Sequence, residues 1–447
     1  MLAFSLVNNT ATSPPPNPEL FGHPRGLFVL FLTEMWERFS FYGTRAFLVL
    51  YLVAAVDKGG LGWSNEKQGA VYGLYAGSVY LFGLLGGWAA DRFIGARLCV
   101  VVGGVGIIIG NSLLAIGTEA LVYPGLALIA IGTGFLKPNT TTMVGSLYAP
   151  KDPRRDKAFS IYYMGINLGA LLSPLVCGPL AELVNWRVGF LVAAVGMVLG
   201  LTQYLLQQKR LGEVGKRVTA SARIAINAAK QPFTRPEWLR IGAIGVFFIF
   251  SAIFWAAFEQ AGSSLNLFAD QMTSKNLFGL PIPASVLQSV QPIFVIALAP
   301  VIASLFVRMG KYEPSSPIKF ALGLLGASAG FWVVAYAASL TIFGKVSVNW
   351  LLLVYFLHTL GELCLSPVGL SLMTKLAPQR ITGLMMGVFF ASIATGNYIA
   401  GFIGGNFEAN ADSLVHLFGL VAMVTLAAAI VLVFLNPFIK KLMVDVK

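Results

Sequence analysis

The sequence predicts an all-α polytopic membrane protein, with twelve transmembrane helices in two six-helix bundles. Composition is the first reason: of 447 residues, 57% are hydrophobic and 11% charged, with a mean hydropathy of +0.76, against roughly 25% charged residues in an ordinary soluble domain. Second, apolar runs recur along the chain at about 20 residues or more, the length a helix needs to cross ~30 Å of hydrocarbon. Third, one long polar stretch, "KRLGEVGKRVTASARIAINAAKQPFTRPEW" at 209–238, divides those runs six and six.

Taken in order, residues 1–22 lack a basic region followed by an adequate apolar segment, so they read as a disordered tail, and the first span directs insertion. The first bundle, 23–207, holds runs near 24–55, 66–90, 97–117, 120–148, 157–183 and 188–207. A basic linker, 208–237, follows; it reads as a solvated tether, with a weaker amphipathic pattern through Val218, Ile224 and Ile226. The second bundle, 238–437, holds runs near 238–270, 284–307, 318–341, 348–376, 380–407 and 413–436, before a short tail at 438–447.

Lys and Arg retained in loops orient such a chain. With the N-terminus in the cytoplasm, 23 of the 31 basic residues fall on that side, and Lys58, Lys67, Arg187, Lys275 and Lys345 on the other. Both termini are therefore expected to be cytoplasmic, in a cell membrane. This distribution also accounts for the net charge of +12 through topology and anionic lipid, which argues against nucleic acid as a partner. Cys99, Cys177 and Cys364 fall in separate spans without metal or disulfide spacing and read as apolar fillers. "GVGIIIG" at 104–110 reads as a helix-packing segment.

The first span carries "TEMWERFSFYGTR" (33–45), in which Glu34, Glu37, Arg38, Phe41, Tyr42 and Arg45 stand at helical offsets 0, 3, 4, 7, 8 and 11 and so share one face. Lys137, Glu259 and Glu362 are the other ionisable side chains deep in spans. A charge at mid-bilayer costs roughly 2.5–3.5 kcal/mol on insertion scales, so such a set needs partners or a water-filled cavity. Four acids face three bases, and one added proton would neutralise the set. At ~1.5 Å per residue Arg45 and Glu259 reach similar depths on two spans that run the same way, as do Lys137 and Glu362 on another two. Two ion pairs across the halves are thus expected as gates, opened by protonation of the acid. His358, four residues before Glu362, reads as a packing histidine rather than a relay. Pro138 and Pro367 follow cavity residues and read as hinge aids.

"GGWAADRFIGAR" (86–97) resembles the loop between spans two and three of the major facilitator superfamily. There, Asp91, Arg92 and Arg97 would hold a closed cytoplasmic face. "TEMWERFSFYGTR", "FSIYYMGINLGALLSPLVCG" (159–178), "FWAAFEQAGSSLNLFAD" (254–270) and "GELCLSPVGLS" (361–371) together resemble the proton-dependent oligopeptide transporter family, over essentially all twelve spans. The resemblance implies a proton-coupled symporter of di- and tripeptides, working by alternating access as a monomer without a bound cofactor. It assigns Glu34, Glu37, Arg38, Arg45 and Glu259 to proton coupling. Arg38, Tyr42, Tyr80, Lys137, Asn167, Trp255, Gln291, Glu362, Ser366 and Phe389 go to the peptide, Arg38 and Lys137 toward its carboxylate and Glu362 and Asn167 toward its amino group. Gating falls to Arg45, Glu259, Lys137, Glu362, Asp91 and Arg92.

Phe41, Phe389 and Gln291 depart from that pattern, where the family usually carries tyrosine, tryptophan and asparagine. The 30-residue linker also has no room for the two extra helices that bacterial members commonly insert. Nitrate or another small organic solute, carried by the same fold, is the alternative cargo. An intramembrane peptidase is disfavoured because no HExxH or GxSxG is present and the three histidines lie far apart.

Overall fold

The computed structural model describes residues 19–149, 152–217, 233–277, 279–378 and 381–444. The weak amphipathic pattern through Val218, Ile224 and Ile226 lies outside these residues.

The first half is built from α1 (Arg25–Val53), α2 (Asn65–Ala89), α3 (Ala96–Ile116), α4 (Glu119–Ser146), α5 (Arg154–Pro179) and α6 (Trp186–Gln207). The second contains α7 (Arg235–Phe258), α8 (Ser264–Met272), α9 (Val290–Met309), α10 (Ser316–Ser339), α11 (Asn349–Leu376), α12 (Thr382–Gly405) and α13 (Ala411–Met443). Among the described residues, eleven segments are long and apolar enough to cross a membrane. At 29 residues α1 is also long enough, but its buried charges lower its hydropathy. With twelve spans and large exposed apolar side chains such as Leu81, Leu199 and Phe434, the chain is a multi-pass integral membrane protein.

Local chemistry ends the helices near the expected places. Gly95, at φ +80°, separates α2 and its π-helical extension Ala90–Ile94 from α3. Asn185 caps α6 by accepting from the Arg187 N–H. A capping box between Thr234 and Glu237 starts α7. Two differences from the sequence reading stand out. The seventh span is not one helix: the 3₁₀ turn Glu259–Gly262 divides α7 from α8. The last helix runs on to Met443, into the expected tail, while Glu19–Leu20 of the expected N-terminal tail pairs with His23–Pro24 at the start of the first bundle in a short hairpin.

Within the first half α1 packs against α5 and α6, and α3 against α4; within the second, α10 packs against α11 and α13, and α12 against α7. The α3–α4 contact is glycine-mediated as "GVGIIIG" suggests, since a Cβ on Gly110 would lie 2.6 Å from the Gly125 carbonyl oxygen. The halves meet along α2 and α12, and where α5 packs on the turn before α9. One apolar core runs the length of the second half and joins the first through residues such as Phe47 and Leu50 near the end of α1. A separate core around Leu27, Val100, Leu136 and Tyr204 belongs to the first half alone. α4 and α11 make no extended contact. The halves are therefore closed against each other at one end and apart at the end that carries the termini.

Candidate functional site

The charged face of α1 is buried: Glu34 and Glu37 are 0% exposed and Arg38 1%. Neighbouring positions 37 and 38 stand about 100° apart, near the two edges of that face, and the long guanidinium folds back to make a two-point contact with Glu37. Arg38 Nη2 donates to Glu37 Oε1 at 2.6 Å and Nε donates to Oε2. Glu34 Oε1 stands 3.6 Å from Arg38 Nε, while its Oε2 accepts from Tyr162 Oη at 2.6 Å and Thr140 Oγ1 at 2.9 Å. Thus α1, α4 and α5 are joined through one carboxylate. The Arg38 guanidinium also lies 4.9 Å from the centre of the Phe41 ring and 5.8 Å from that of Tyr42.

Two turns further along α1, Arg45 crosses to the other half. Its Nη2 is 2.6 Å from Glu259 Oε2 and its Nε donates to Tyr72 Oη at 3.1 Å. The 3₁₀ turn that interrupts the seventh span brings Glu259 here, and Gly262 on the same turn leaves the space. A Cβ on Gly262 would fall 2.0 Å from Tyr72 Oη and 2.7 Å from Arg45 Nε. A second bond across the halves runs from Asn266 Nδ2 to the Ala46 carbonyl at 2.8 Å.

Toward the open end the polar groups are spread between the halves. Lys137 on α4 is half-buried, its Nζ 5.4 Å from the centre of the Tyr80 ring. On the opposite half Gln291 Nε2 donates to Glu362 Oε2 at 3.4 Å. No ion pair joins Lys137 to Glu362 among the described residues, in keeping with the separation of α4 and α11. Trp255, buried among Phe254 and Phe258, has an indole N–H with no hydrogen-bond partner.

Comparison with known proteins gives the same architecture a lineage. A crystal structure of the peptide transporter POT in complex with sulfate superposes with a TM-score of 0.89 at 38% identity, covering 96% of this chain and 97% of that one. The peptide transporter YePEPT of Yersinia enterocolitica subsp. palearctica serotype O:3 is 36% identical, over 97% of this chain and 98% of its own length. The di-/tripeptide transporter of Lactococcus lactis subsp. cremoris is 33% identical, over 96% and 98%. Residues 97–236 and 237–415 match the family model described as the POT family.

The chain belongs to the POT family. In this POT-family chain the structure brings Glu34, Glu37 and Arg38 into one cluster, and Arg45 and Glu259 into the expected cross-half pair. Gln291 and Glu362 are joined as well, so the glutamine that departs from the family pattern still reaches the carboxylate. Asn167 is buried, its amide donating to the Tyr163 carbonyl at 2.9 Å, and Phe389 is buried in the core against Gly369. Tyr42 and Tyr80 are half-buried, as is Ser366, which lies on α11 one residue before Pro367.

The 86–97 motif is expected to pair with neighbouring helix ends and hold a closed cytoplasmic face, and this end of the structure is the open one. Asp91 and Arg92 are exposed, and Arg97 donates to the carbonyls of Gly212 and Val214, at 2.5 Å and 2.7 Å, in the segment that leaves α6. Arg97 thus braces the first half internally. His358 is buried with its ring 5.0 Å from that of Phe331, a packing position. Tyr72, Thr140 and Tyr162 are the polar partners that charge patterning missed. Tyr162 was within reach, since it lies in the quoted "FSIYYMGINLG" segment; nothing local distinguishes Tyr72.

Proposed function

We propose that this POT-family chain is a proton-coupled symporter that imports di- and tripeptides by alternating access. The observation that carries this reading is the division of charge across the opening. Arg38 and Lys137 stand on the first half, and Glu362 with its partner Gln291 stands on the second. A guanidinium and an ammonium bind a carboxylate, and a carboxylate binds an ammonium, so a short zwitterion can bridge the halves. A cavity that grips both termini accepts many side chains but few lengths.

Coupling follows from the buried acids. While Glu259 is ionised it holds Arg45 and keeps one end shut. A proton on Glu259 removes its charge and weakens that pair, so the closed end can open. Peptide and proton then enter from that side. A proton on the Glu34 and Glu37 pair loosens Arg38 for the peptide carboxylate. Return of the Arg45–Glu259 pair closes the entry and leads to release at the opposite end. In this scheme the closed end is extracellular, both termini are cytoplasmic, the protein lies in the cell membrane as a functional monomer, and the proton is its only coupling agent.

The test is dialanine uptake into proteoliposomes under an inward proton gradient, repeated with an ionophore that collapses it. Accumulation that disappears with the gradient, with the recovered peptide intact by mass spectrometry, supports the reading. Lack of dialanine accumulation beside uptake of nitrate or another solute would reassign the cargo, and recovered free alanine would point to hydrolysis.

A further inference from the structure

A second junction holds the closed end, and it uses a carboxylate that neither the buried cluster nor the Arg45 pair involves. α5 ends in the π-helical turn Leu180–Val184, which aims Glu182 at the other half. Glu182 Oε2 accepts from the backbone N–H of Ala284 at 3.1 Å, and Oε1 accepts from that of Ser285 at 2.9 Å. These are the first donors of the turn Ala284–Ser289 that runs into α9, where the helix itself supplies no acceptor. The carboxylate also faces the positive end of the helix dipole.

The surrounding surface is shaped to let this happen. A Cβ on Gly178, one turn before Glu182, would stand 2.2 Å from Ser285 Oγ, so only hydrogen fits there. One turn deeper, Ser289 Oγ donates to the Leu171 carbonyl at 2.8 Å. Leu171 and Gly178 on α5 and Glu182 on the turn that follows it all meet the turn Ala284–Ser289, through Ser289, Ser285 and the Ala284 and Ser285 N–H groups. Every one of these contacts crosses from the first half to the second.

We propose that Glu182 is a positioning residue of the transport cycle: a latch that caps the second half's helix while this end is shut and lets go when it opens. The proposal rests on alternating access, since a latch has meaning only if the halves separate here. It differs from the Arg45–Glu259 pair in its donors. Backbone N–H groups carry no formal charge, so separation of the helices at this junction leaves no unpaired cation behind.

The test uses the full-length protein in lipid nanodiscs, without native cysteines, with nitroxide labels at positions 56 and 343. Val56 and Phe343 are both exposed at the closed end, on opposite halves and away from the latch. Glu182→Ala should raise the ratio of long to short label distances by about tenfold, the effect of ~1.4 kcal/mol lost from one state. Glu182→Gln should act nearly as strongly, because its amide turns a donor toward one of the two backbone N–H groups. Ser289→Ala should shift the distances less but in the same direction.

In uptake assays, the Glu182 variants should lower KM and kcat together, since the end facing peptide is open more often but closes less readily. A folding defect would lower kcat alone. Unchanged distances in Glu182→Ala and Glu182→Gln protein of wild-type thermal stability would overturn the latch. If those variants do not fold, unchanged distances in Ser289→Ala overturn it. A wild type whose labels never separate, with or without dipeptide and at neutral or acidic pH, would overturn alternating access and the latch with it. Failure of peptide uptake alone would overturn only the cargo.

Discussion

Arg45 can reach Glu259 because residue 262 has no side chain, a dependence between positions more than 200 residues apart in the chain. Gly262→Ala should displace the arginine from Tyr72 and lower stability by about 1–3 kcal/mol, the usual cost of overpacking, seen as a fall in thermal unfolding temperature. Gradient-driven uptake should fall further than stability does. The two acids of α1 should also separate in their effects. Glu37 makes the two-point contact with Arg38, whereas Glu34 stands 3.6 Å away and is held mainly by Tyr162 and Thr140. Removing one partner of a buried pair leaves the other charge uncompensated, at about 3–5 kcal/mol, so Glu37→Gln should unfold at a lower temperature than Glu34→Gln. Either substitution should abolish concentrative dialanine uptake while sparing counterflow exchange. Full accumulation in both would remove them from coupling. The charges were legible as one helical face because ionisable residues are rare in apolar runs. Their neutral partners Tyr72, Thr140 and Tyr162 were not, since a hydroxyl-bearing side chain occurs in spans for packing as often as for a site.

Between elements, the closed end depends on how nearly α2 and α12 touch. Gly69, Gly73 and Gly77 stand four apart on α2 and face Ala394, Gly401 and Gly405 on α12; a Cβ on Gly69 would lie 2.4 Å from the Gly401 carbonyl oxygen, and one on Gly401 2.4 Å from Gly73 Cα. Small residues let helix backbones approach in lipid, where apolar burial alone does not favour association. Gly401→Leu should therefore force this end apart and raise the long-distance population between labels at positions 56 and 343, with little gradient-driven uptake left. A protein that still closes would show that α12 has another way to pack. The glycine stripe was present in the sequence but had no visible partner, because its complement lies more than 300 residues away. Depth along a helix was better predicted: 1.5 Å per residue correctly brought Arg45 level with Glu259. The same count cannot supply lateral distance, so Lys137 and Glu362 are expected at similar depth yet form no ion pair while α4 and α11 stand apart.

For the molecule as a whole, the arrangement makes the sidedness testable. Val307 and Phe343 are both well exposed, at 80% and 85%, and lie near opposite ends of the second half. With cytoplasmic termini, Phe343→Cys should react with a membrane-impermeant maleimide in intact cells, and Val307→Cys only after permeabilisation. The reverse pattern would invert the topology and turn the proposed import cycle around. By itself the sequence determined twelve spans, their division into two halves, the buried charged face of α1 and the family, because hydropathy, basic-residue placement and helical period are local sums along the chain. Only the tertiary structure decided that the seventh span breaks at Glu259–Gly262, that Arg97 braces its own half, that glycines of α2 and α12 meet, and that Glu182 caps the helix of the opposite half. Each of these depends on which groups stand together between elements distant in the chain, and segments with the same local hydropathy can meet in many registers. Packing in three dimensions selects the one in which the buried polar groups find partners.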